Sequence, residues 1–159
     1  MVSYIENKKT DHVSSGQDIG GFHALLGYKI IDWGEKKAVI ELEVRPEHLN
    51  MGGVIHGGVL TSLLDIVCTM AGTYCAKAGH VRKAITLSLT TTFTGQCSSG
   101  IVRAVGVKRA GGRRIFNCSG EVYDQEGRLL AMGEATCRLR SGSELPDGVP
   151  FISRKTDTD

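Results

Sequence analysis

Compositional extremes are absent from this sequence. Its 159 residues include three prolines and no repeat or low-complexity segment, and its 19 basic and 17 acidic residues leave a formal charge of +2. Because basic and acidic residues are nearly equal in number, charge-driven binding to nucleic acid or to an anionic membrane is excluded as a general property. Residues 1–18 carry charges throughout and lack the apolar run of a signal peptide, which favours a cytoplasmic location.

Cysteine is present, but in no arrangement that forms a recognised site. The five cysteines are an odd number, and no two of them form the C-x-x-C pair that commonly holds a metal. Their spacing does not suggest a disulfide framework either. We therefore expect reduced thiols with mainly structural roles and no bound metal.

The longest apolar stretch, residues 54–71, reaches about the length of a membrane span. It nevertheless contains His56, Asp65 and the pair Gly57-Gly58. Polar groups are costly inside a bilayer, so the stretch is interpreted as a buried helix with a functional role.

The length of the chain suits one domain with one core. Residues 1–18 are predicted to form a flexible arm, residues 19–140 the domain, and residues 141–159 a flexible tail. Within the domain, residues 22–26 suit a short helix. Alternating apolar and polar side chains predict a β-hairpin from residues 28–32 and 38–44 around a turn at 33–36.

A single long helix is predicted from Gly58, because apolar residues recur every three or four positions as far as Cys75. Period-two alternation then returns in four strands, at residues 84–93, 101–107, 115–123 and 129–139. One helix covering one face of an antiparallel sheet is an α+β architecture.

The segment from Asn50 to Asp65 is the most informative part of the chain. The first four N–H groups of a helix have no partner within it, so the Gly57 and Gly58 amides can meet a negatively charged or polarised oxygen, assisted by the helix dipole. Glycine at these positions also lets a ligand approach the backbone closely. These are the requirements of an oxyanion hole.

Asp65 lies two helical turns further along, off the apolar stripe and flanked at helical spacing by Thr61, Ser62 and Thr69. A carboxylate in an otherwise apolar helix has to be solvated, paired or used, because an unpaired buried charge is costly. A solvated helix face is one interpretation, and a catalytic carboxylate is the other.

The spacing of these two features limits how they can act together. Gly57 and Asp65 are eight residues apart, which is about 12 Å along a helix at about 1.5 Å per residue. They cannot both contact one carbonyl carbon. If both take part in one reaction, they come from two subunits whose helices a two-fold axis sets antiparallel, which predicts a homodimer with two shared sites.

Asn50, the run His56-Gly57-Gly58 and Asp65 in a long helix together resemble the acyl-CoA thioesterases of the hotdog fold, in particular the PaaI-like group. The similarity extends from about Gly27 to Leu139. Further matching motifs are Gly111-Gly112-Arg113-Arg114, Asp124-x-x-Gly127 and Ala131-x-Gly133-x-Ala135-Thr136. The resemblance implies a strongly curved antiparallel sheet wrapped around one long central helix. It also implies dimers that often pair into tetramers.

The resemblance implies roles for individual residues. Asp65 is expected to be the nucleophile or the general base that activates water, with the Gly57 amide holding the thioester oxygen and Asn50 placing water or substrate. His56 is expected to orient the substrate or the helix start, with helix capping or packing as the alternative. Thr86 corresponds to a serine or threonine that assists the aspartate in related enzymes, although a threonine is common in any strand.

The implied substrate is an acyl-CoA, so no separate cofactor is expected. Many relatives carry an aromatic-basic-proline run after the strand at residues 84–93, whereas this chain has Phe93-Thr94-Gly95-Gln96-Cys97, which puts CoA contacts there in doubt. Guanidinium groups bind phosphate in bidentate fashion, so basic residues near a hairpin end are the alternative, unless they are simply solvated. The expected substrate-binding residues are Gly58, Lys108, Arg109, Arg113 and Arg114.

Two other functions stay open at this point. A hydratase or dehydratase on the same fold would use a histidine in a different local setting, and the aspartate nine residues after His56 favours hydrolysis. A non-catalytic acyl-CoA-binding domain would bind its ligand without turnover. The identity of the acyl chain does not follow from the sequence, because residues of two subunits would line the pocket.

Overall fold

A six-stranded antiparallel sheet packs against one long helix in the computed structural model, which describes residues 15–152. The helices are α1 (Gly16–Ile19), α2 (Gly21–Leu26) and α3 (Gly57–Gly72), and Pro46–His48 forms one 3₁₀ turn. The strands of the sheet are β1 (Lys29–Gly34), β2 (Lys37–Glu43), β4 (Ala84–Phe93), β5 (Ile101–Gly111), β6 (Ile115–Tyr123) and β7 (Leu129–Leu139). Two short strands, β3 (His80–Val81) and β8 (Val149–Pro150), form a separate pair. The predicted α+β class is confirmed.

The strand order in the sheet is β1-β2-β5-β6-β7-β4, and every neighbouring pair is antiparallel. Strands β1 and β4 therefore form the two edges. Although β4 follows α3 directly in the main sheet, it pairs with β7 and not with β2. The helix thus crosses the sheet between its two edges, and one side of the β4 backbone pairs with no strand among residues 15–152.

Helix α3 lies on the sheet over a row of three glycines. Gly106, Gly120 and Gly133 are cross-strand partners on β5, β6 and β7. A Cβ at Gly106 would overlap the carbonyl oxygen of Val67, and one at Gly120 would lie 2.9 Å from a methyl group of Leu64. The missing side chains let the helix approach, and its leucines become fully buried, each contributing roughly 1.5–3 kcal/mol of hydrophobic stabilisation.

Most predicted elements are found at their predicted places. The short helix at 22–26 is α2, and the strands predicted at 84–93, 115–123 and 129–139 are β4, β6 and β7 with the same bounds. The long helix ends at Gly72, earlier than expected, because Thr73 caps it: the Thr73 hydroxyl donates to the Thr69 carbonyl at 2.8 Å. Cys75 therefore lies beyond the helix.

The predicted turn of the first hairpin is shorter in the structure. Strand β1 continues to Gly34, which leaves only Glu35 and Lys36 in the turn. Trp33 is held in the strand because its indole N–H donates to the carbonyl of Met70 near the end of α3, at 2.7 Å.

The tail expected from residue 141 is ordered as far as it is described, which differs from the prediction. Ser143 accepts a hydrogen bond from the Lys83 N–H at 2.8 Å, and β8 pairs with β3. At the other end, Gly16 donates to the Tyr28 carbonyl at 3.0 Å. Backbone groups in both segments find partners in the domain, while residues 1–14 and 153–159 lie outside the described residues.

No helix in the described part of the chain is both long and apolar enough to cross a membrane.

Candidate active site

The loop before α3 is held mainly by hydrogen bonds of its own backbone. The side-chain oxygen of Asn50 accepts the Gly52 N–H at 2.8 Å, and the Asn50 N–H donates to the Val54 carbonyl at 2.8 Å. Ile55 donates to the carbonyl of Cys97, also at 2.8 Å, which ties the loop to the segment after β4. The exposed Asn50 side chain thus fixes the loop through its oxygen and keeps its NH₂ group available as a donor.

The buried His48 connects this loop to the end of α2 through hydrogen bonds. Its side chain is only 3% exposed, its Nδ1 accepts the Arg45 N–H at 3.0 Å, and its Nε2 lies 3.1 Å from the Leu26 carbonyl. Burial, together with the positive charge of Arg45, holds the pKa of His48 below its ordinary value. The neutral ring with the proton on Nε2 satisfies both hydrogen bonds, and the His48 carbonyl in turn accepts the His56 N–H at 2.8 Å.

His56 caps helix α3. Its backbone is extended, and its Nδ1 accepts the Gly58 N–H at 2.8 Å, while its carbonyl accepts the amides of Val59 and Leu60. The Gly58 amide is therefore not available to a substrate, which corrects the expectation that it would donate beside Gly57. Of the first four amides of α3, only that of Gly57 has no acceptor among the described residues.

Asp65 is half-buried on the polar sector of α3, as predicted. Its Oδ1 accepts a hydrogen bond of 2.6 Å from the hydroxyl of Thr86, near the start of β4. No described residue donates to Oδ2, so one oxygen is oriented and the other is free to act. Asp65 is thus paired through one oxygen with a neutral donor.

Two residues behind this pair were missed by sequence reasoning as members of the site. Thr69 Oγ1 lies 3.4 Å from Thr86 Oγ1, and the thiol of Cys137 lies 3.9 Å from both hydroxyls. Because Thr86 donates its one proton to Asp65, its oxygen is left to accept from Thr69. The position of Thr69, four residues after Asp65 on one helix face, was the available sequence signal.

His23 on α2 is a further titratable group near the carboxylate. Its Nδ1 lies 2.9 Å from the hydroxyl of the fully buried Tyr28. Burial lowers the pKa of His23, and the negative charge of Asp65 opposes that shift. No pattern in the sequence connects these two residues.

Strand β4 spans the distance between the two groups of site residues. Thr86 near its start contacts Asp65, and Phe93 at its end packs so close to Gly57 that a Cβ there would lie 3.2 Å from the ring. The structure therefore brings Asn50, His56, Gly57 and Gly58 together at one end of α3, and Asp65 and Thr86 at its middle. It does not join the two groups within one chain.

The four basic residues expected at the substrate have different surroundings. Lys108 lies over the ring of Phe116, 5.4 Å from its centroid, and Arg109 donates to the hydroxyl of Ser119 at 2.6 Å. Arg114 forms an ion pair of 3.3 Å with Glu144, and Arg113 is exposed. Phe116 also packs against Gly72, so this hairpin lies at the end of α3 remote from Gly57.

The thiols of the described residues are free, and four of the five are buried. Burial, chiefly, raises the pKa of Cys68 and of Cys118 to about 12, so both are protonated at neutral pH and are poor nucleophiles. No group of three or more metal-ligating side chains comes together between residues 15 and 152.

Comparison with known proteins gives a consistent result. The model of the family described as "Thioesterase superfamily" matches residues 52–131, half of the chain. Human acyl-coenzyme A thioesterase 13 is 27% identical over 119 residues, which cover 74% of this chain and 84% of that protein. A mutant structure of the phenylacetic acid degradation protein PaaI of Thermus thermophilus is 29% identical with a TM-score of 0.64, covering 74% of this chain and 96% of that one. A conserved protein of Pseudomonas aeruginosa is 26% identical with a TM-score of 0.68, covering 84% and 100%.

Proposed function

The chain belongs to the thioesterase superfamily and is a thioester hydrolase, and we propose that its substrates are acyl-CoA thioesters, which it converts to a free acid and CoA. The observation that carries the proposal is the half-buried Asp65, whose Oδ1 is oriented by Thr86 while Oδ2 is free. A carboxylate held in this way can act on a carbonyl carbon beside it. The name of the human relative supports CoA as the thiol.

In the proposed reaction, the carbonyl carbon of the thioester is attacked and its oxygen becomes negative. Either Asp65 Oδ2 attacks directly and water later hydrolyses the anhydride, or Oδ2 takes a proton from an attacking water. The Gly57 N–H and the dipole of α3 stabilise the negative oxygen. The C–S bond then breaks, and CoA leaves as a thiolate that takes up a proton.

We propose that this site forms between two subunits, because Gly57 and Asp65 lie at different places on one helix. The unpaired edge of β4 is the surface for this pairing, since it exposes Leu87 and Phe93 by 52% and 54%, and open edges are otherwise protected. A two-fold axis at Thr90 sets Thr86 of one copy opposite Phe93 of the other, because the register of β4 shifts by one residue between Thr86 and Ser88. Asp65 then lies beside Gly57 of the partner subunit.

The remaining roles follow from the same arrangement. Asn50 offers its free NH₂ group to water or substrate, and His56 fixes the helix start so that the Gly57 amide faces the substrate. Among the basic residues, the exposed Arg113 is the best placed for phosphate, since the side chains of Lys108, Arg109 and Arg114 already have partners. Pairing of dimers into tetramers, and a cytoplasmic location, stay predictions.

The activity is tested by measuring thiol release from a panel of acyl-CoAs of different chain length and aromatic character. Wild type should release CoA, and Asp65→Asn should lose about 10²–10⁴-fold in rate while keeping its fold, since the amide still accepts from Thr86. Glu35→Gln, at the exposed turn after β1, is the control for loss of a carboxylate. Equal rates in wild type and Asp65→Asn would disprove the mechanism, and hydration of enoyl-CoA without thiol release would indicate a hydratase.

Sharing of the site is tested by mixing two inactive variants. Asp65→Asn and Gly57→Pro chains, unfolded and refolded together in equal amounts, form mixed dimers with one intact site each. Random pairing should restore about a quarter of wild-type activity if Gly57 acts across the two-fold axis. No recovery in dimers shown to have mixed would place both groups in one subunit and contradict the proposal.

A further inference from the structure

A second candidate site lies at the start of β4 and the end of β7. There a surface cavity of about 620 Å³ opens between these strands and the segment that follows β7. Its volume falls within the range of about 300–1,000 Å³ that is usual for small-molecule sites. The lining residues include Lys83, Ile85, Arg114, Arg138, Arg140 and Glu144.

The charge of this cavity is strongly one-sided. Four cationic side chains line it, against the single carboxylate of Glu144, which is already engaged by Arg114 at 3.3 Å. Within residues 15–152, Lys83, Arg138 and Arg140 have no carboxylate within ion-pair distance. The chain as a whole carries a formal charge of only +2, so the cavity is a local concentration of positive charge.

The arrangement suits phosphate better than a carboxylate. Three guanidinium groups and an ammonium group line the cavity, from β7, from the residues just before β4 and just after β7, and from the β5–β6 turn. An anion with oxygens in more than one direction can engage several of them together. The partly exposed Ile85 and Val149 supply apolar surface for a flat organic group beside the charges. A phosphorylated nucleotide combines both features.

The cavity is also close to the proposed catalytic carboxylate. Ile85 lines it and Thr86, the next residue on β4, donates to Asp65. Successive side chains of a strand point to opposite faces of a sheet. The cavity and Asp65 therefore lie on opposite faces of the sheet, beside the first residues of β4. An extended pantetheine arm can connect such sites around the end of a strand.

We propose that this cavity binds the phosphates of the 3′-phosphoadenosine diphosphate end of CoA, with Lys83, Arg138 and Arg140 joining Arg114. The assignment rests on the proposed acyl-CoA substrate and names three residues outside the predicted group of Lys108, Arg109, Arg113 and Arg114. In this proposal the nucleotide binds at the end of β7. The arginines there take the role of the basic residue that this chain lacks after Phe93.

Binding is tested first without turnover, by calorimetric titration of adenosine 3′,5′-bisphosphate into the full chain. Arg138→Gln and Arg140→Gln should each weaken binding by about tenfold, because each removes a charge-assisted hydrogen bond to phosphate. Lys29→Gln, an exposed cation on the far edge strand, should leave affinity unchanged. Absence of binding to the wild type, or equal affinity in folded Arg138→Gln, Arg140→Gln and Lys83→Gln variants, would overturn the proposal.

Kinetics then identify the source of the phosphates. The two arginine variants should raise KM for an acyl-CoA by about tenfold and leave kcat/KM for the matching acyl-N-acetylcysteamine thioester unchanged, because that substrate lacks the nucleotide. An unchanged KM for acyl-CoA would refute the nucleotide assignment. If no acyl-CoA is hydrolysed but the bisphosphate binds and responds to the variants, the cavity assignment stands and only the proposed activity fails.

Discussion

The proposed chemistry uses two parts of α3, its start and its middle, and different kinds of contact hold these two parts in place. The start is a local structure, in which His56 caps Gly58 two residues away and Asn50 closes its own loop. The middle depends on contacts between distant parts of the chain, since Asp65 is oriented by Thr86, 21 residues later, and Thr86 lies beside Cys137.

This difference separates the two proposed catalytic groups. A backbone amide at a helix start needs only a capped helix and an open approach, so it tolerates changes in the surrounding sheet. A carboxylate within a helix needs a donor that the sheet places opposite it. We therefore expect substitutions at the start to act through the presence of one N–H, and substitutions at the middle to act through the orientation of one oxygen.

After the loss of the Asp65 carboxylate itself, the largest effect is expected from removing the Gly57 amide. Gly57→Pro lacks the N–H, yet proline suits the first position of a helix, and the extended backbone of His56 suits the residue before it. We expect kcat for thiol release to fall by about 10²–10³-fold. Gly57→Ala is the matched control, because it adds a Cβ against the half-exposed Phe93 but keeps the amide. Similar activity of the two variants would rule out Gly57 as the oxyanion donor.

A smaller loss is expected from freeing the carboxylate in the middle of α3. Thr86→Val keeps the branched shape but removes the hydroxyl that donates to Asp65, and a hydrogen bond to a charged group contributes about 1.5–3 kcal/mol. We expect kcat to fall by about ten- to a hundredfold, and Thr86→Ser to retain most activity. In an Asp65→Asn background, Thr86→Val should have little further effect on kcat. A full additional loss there would show that Thr86 acts independently of Asp65.

The capping role of His56 predicts an effect on stability. His56→Ala leaves the Gly58 amide without its acceptor, which should lower the free energy of unfolding by about 1 kcal/mol. His56→Asn supplies another good capping side chain and should recover most of that loss. Urea unfolding at one fixed protein concentration measures both, since an oligomer's stability depends on concentration. Equal losses in the two variants would argue against capping as the contribution of His56.

The smallest expected effect is on the pH dependence of stability, and it comes from the buried His48. Burial, with the charge of Arg45, holds the pKa of His48 below its ordinary 6.5, so the fold favours the neutral ring. The stabilisation is complete above pH 6.5 and declines as the pH falls from there toward the lowered pKa. His23 titrates in the same direction. Thermal melting from pH 7.5 to 5 should show a weaker acid destabilisation in His48→Gln than in wild type, and an unchanged slope would contradict this role of His48.

Much of the fold could be predicted from the sequence because its elements have clear periods. The helix stripe and the alternating strands gave the α+β order, and the likeness to the T. thermophilus PaaI structure confirms the predicted hotdog fold. The end of α3 was less predictable. The apolar spacing continues to Cys75, but the Thr73 hydroxyl donates to a carbonyl of the last turn and the helix ends there. A capping side chain can end a helix about one turn before the apolar pattern in the sequence stops.

The sequence by itself determined the helix start, the position of Asp65 on the polar sector, and the axial distance that keeps Gly57 and Asp65 apart. These follow from the constant rise and period of an α-helix. Tertiary structure alone decided that Thr86 faces Asp65, and that Arg138 and Arg140 join Arg114 around one cavity. The register of β4 shifts by one residue between Thr86 and Ser88, and one residue reverses the face of every side chain that follows. Such a contact depends on how distant strands align, which no local pattern in the chain specifies.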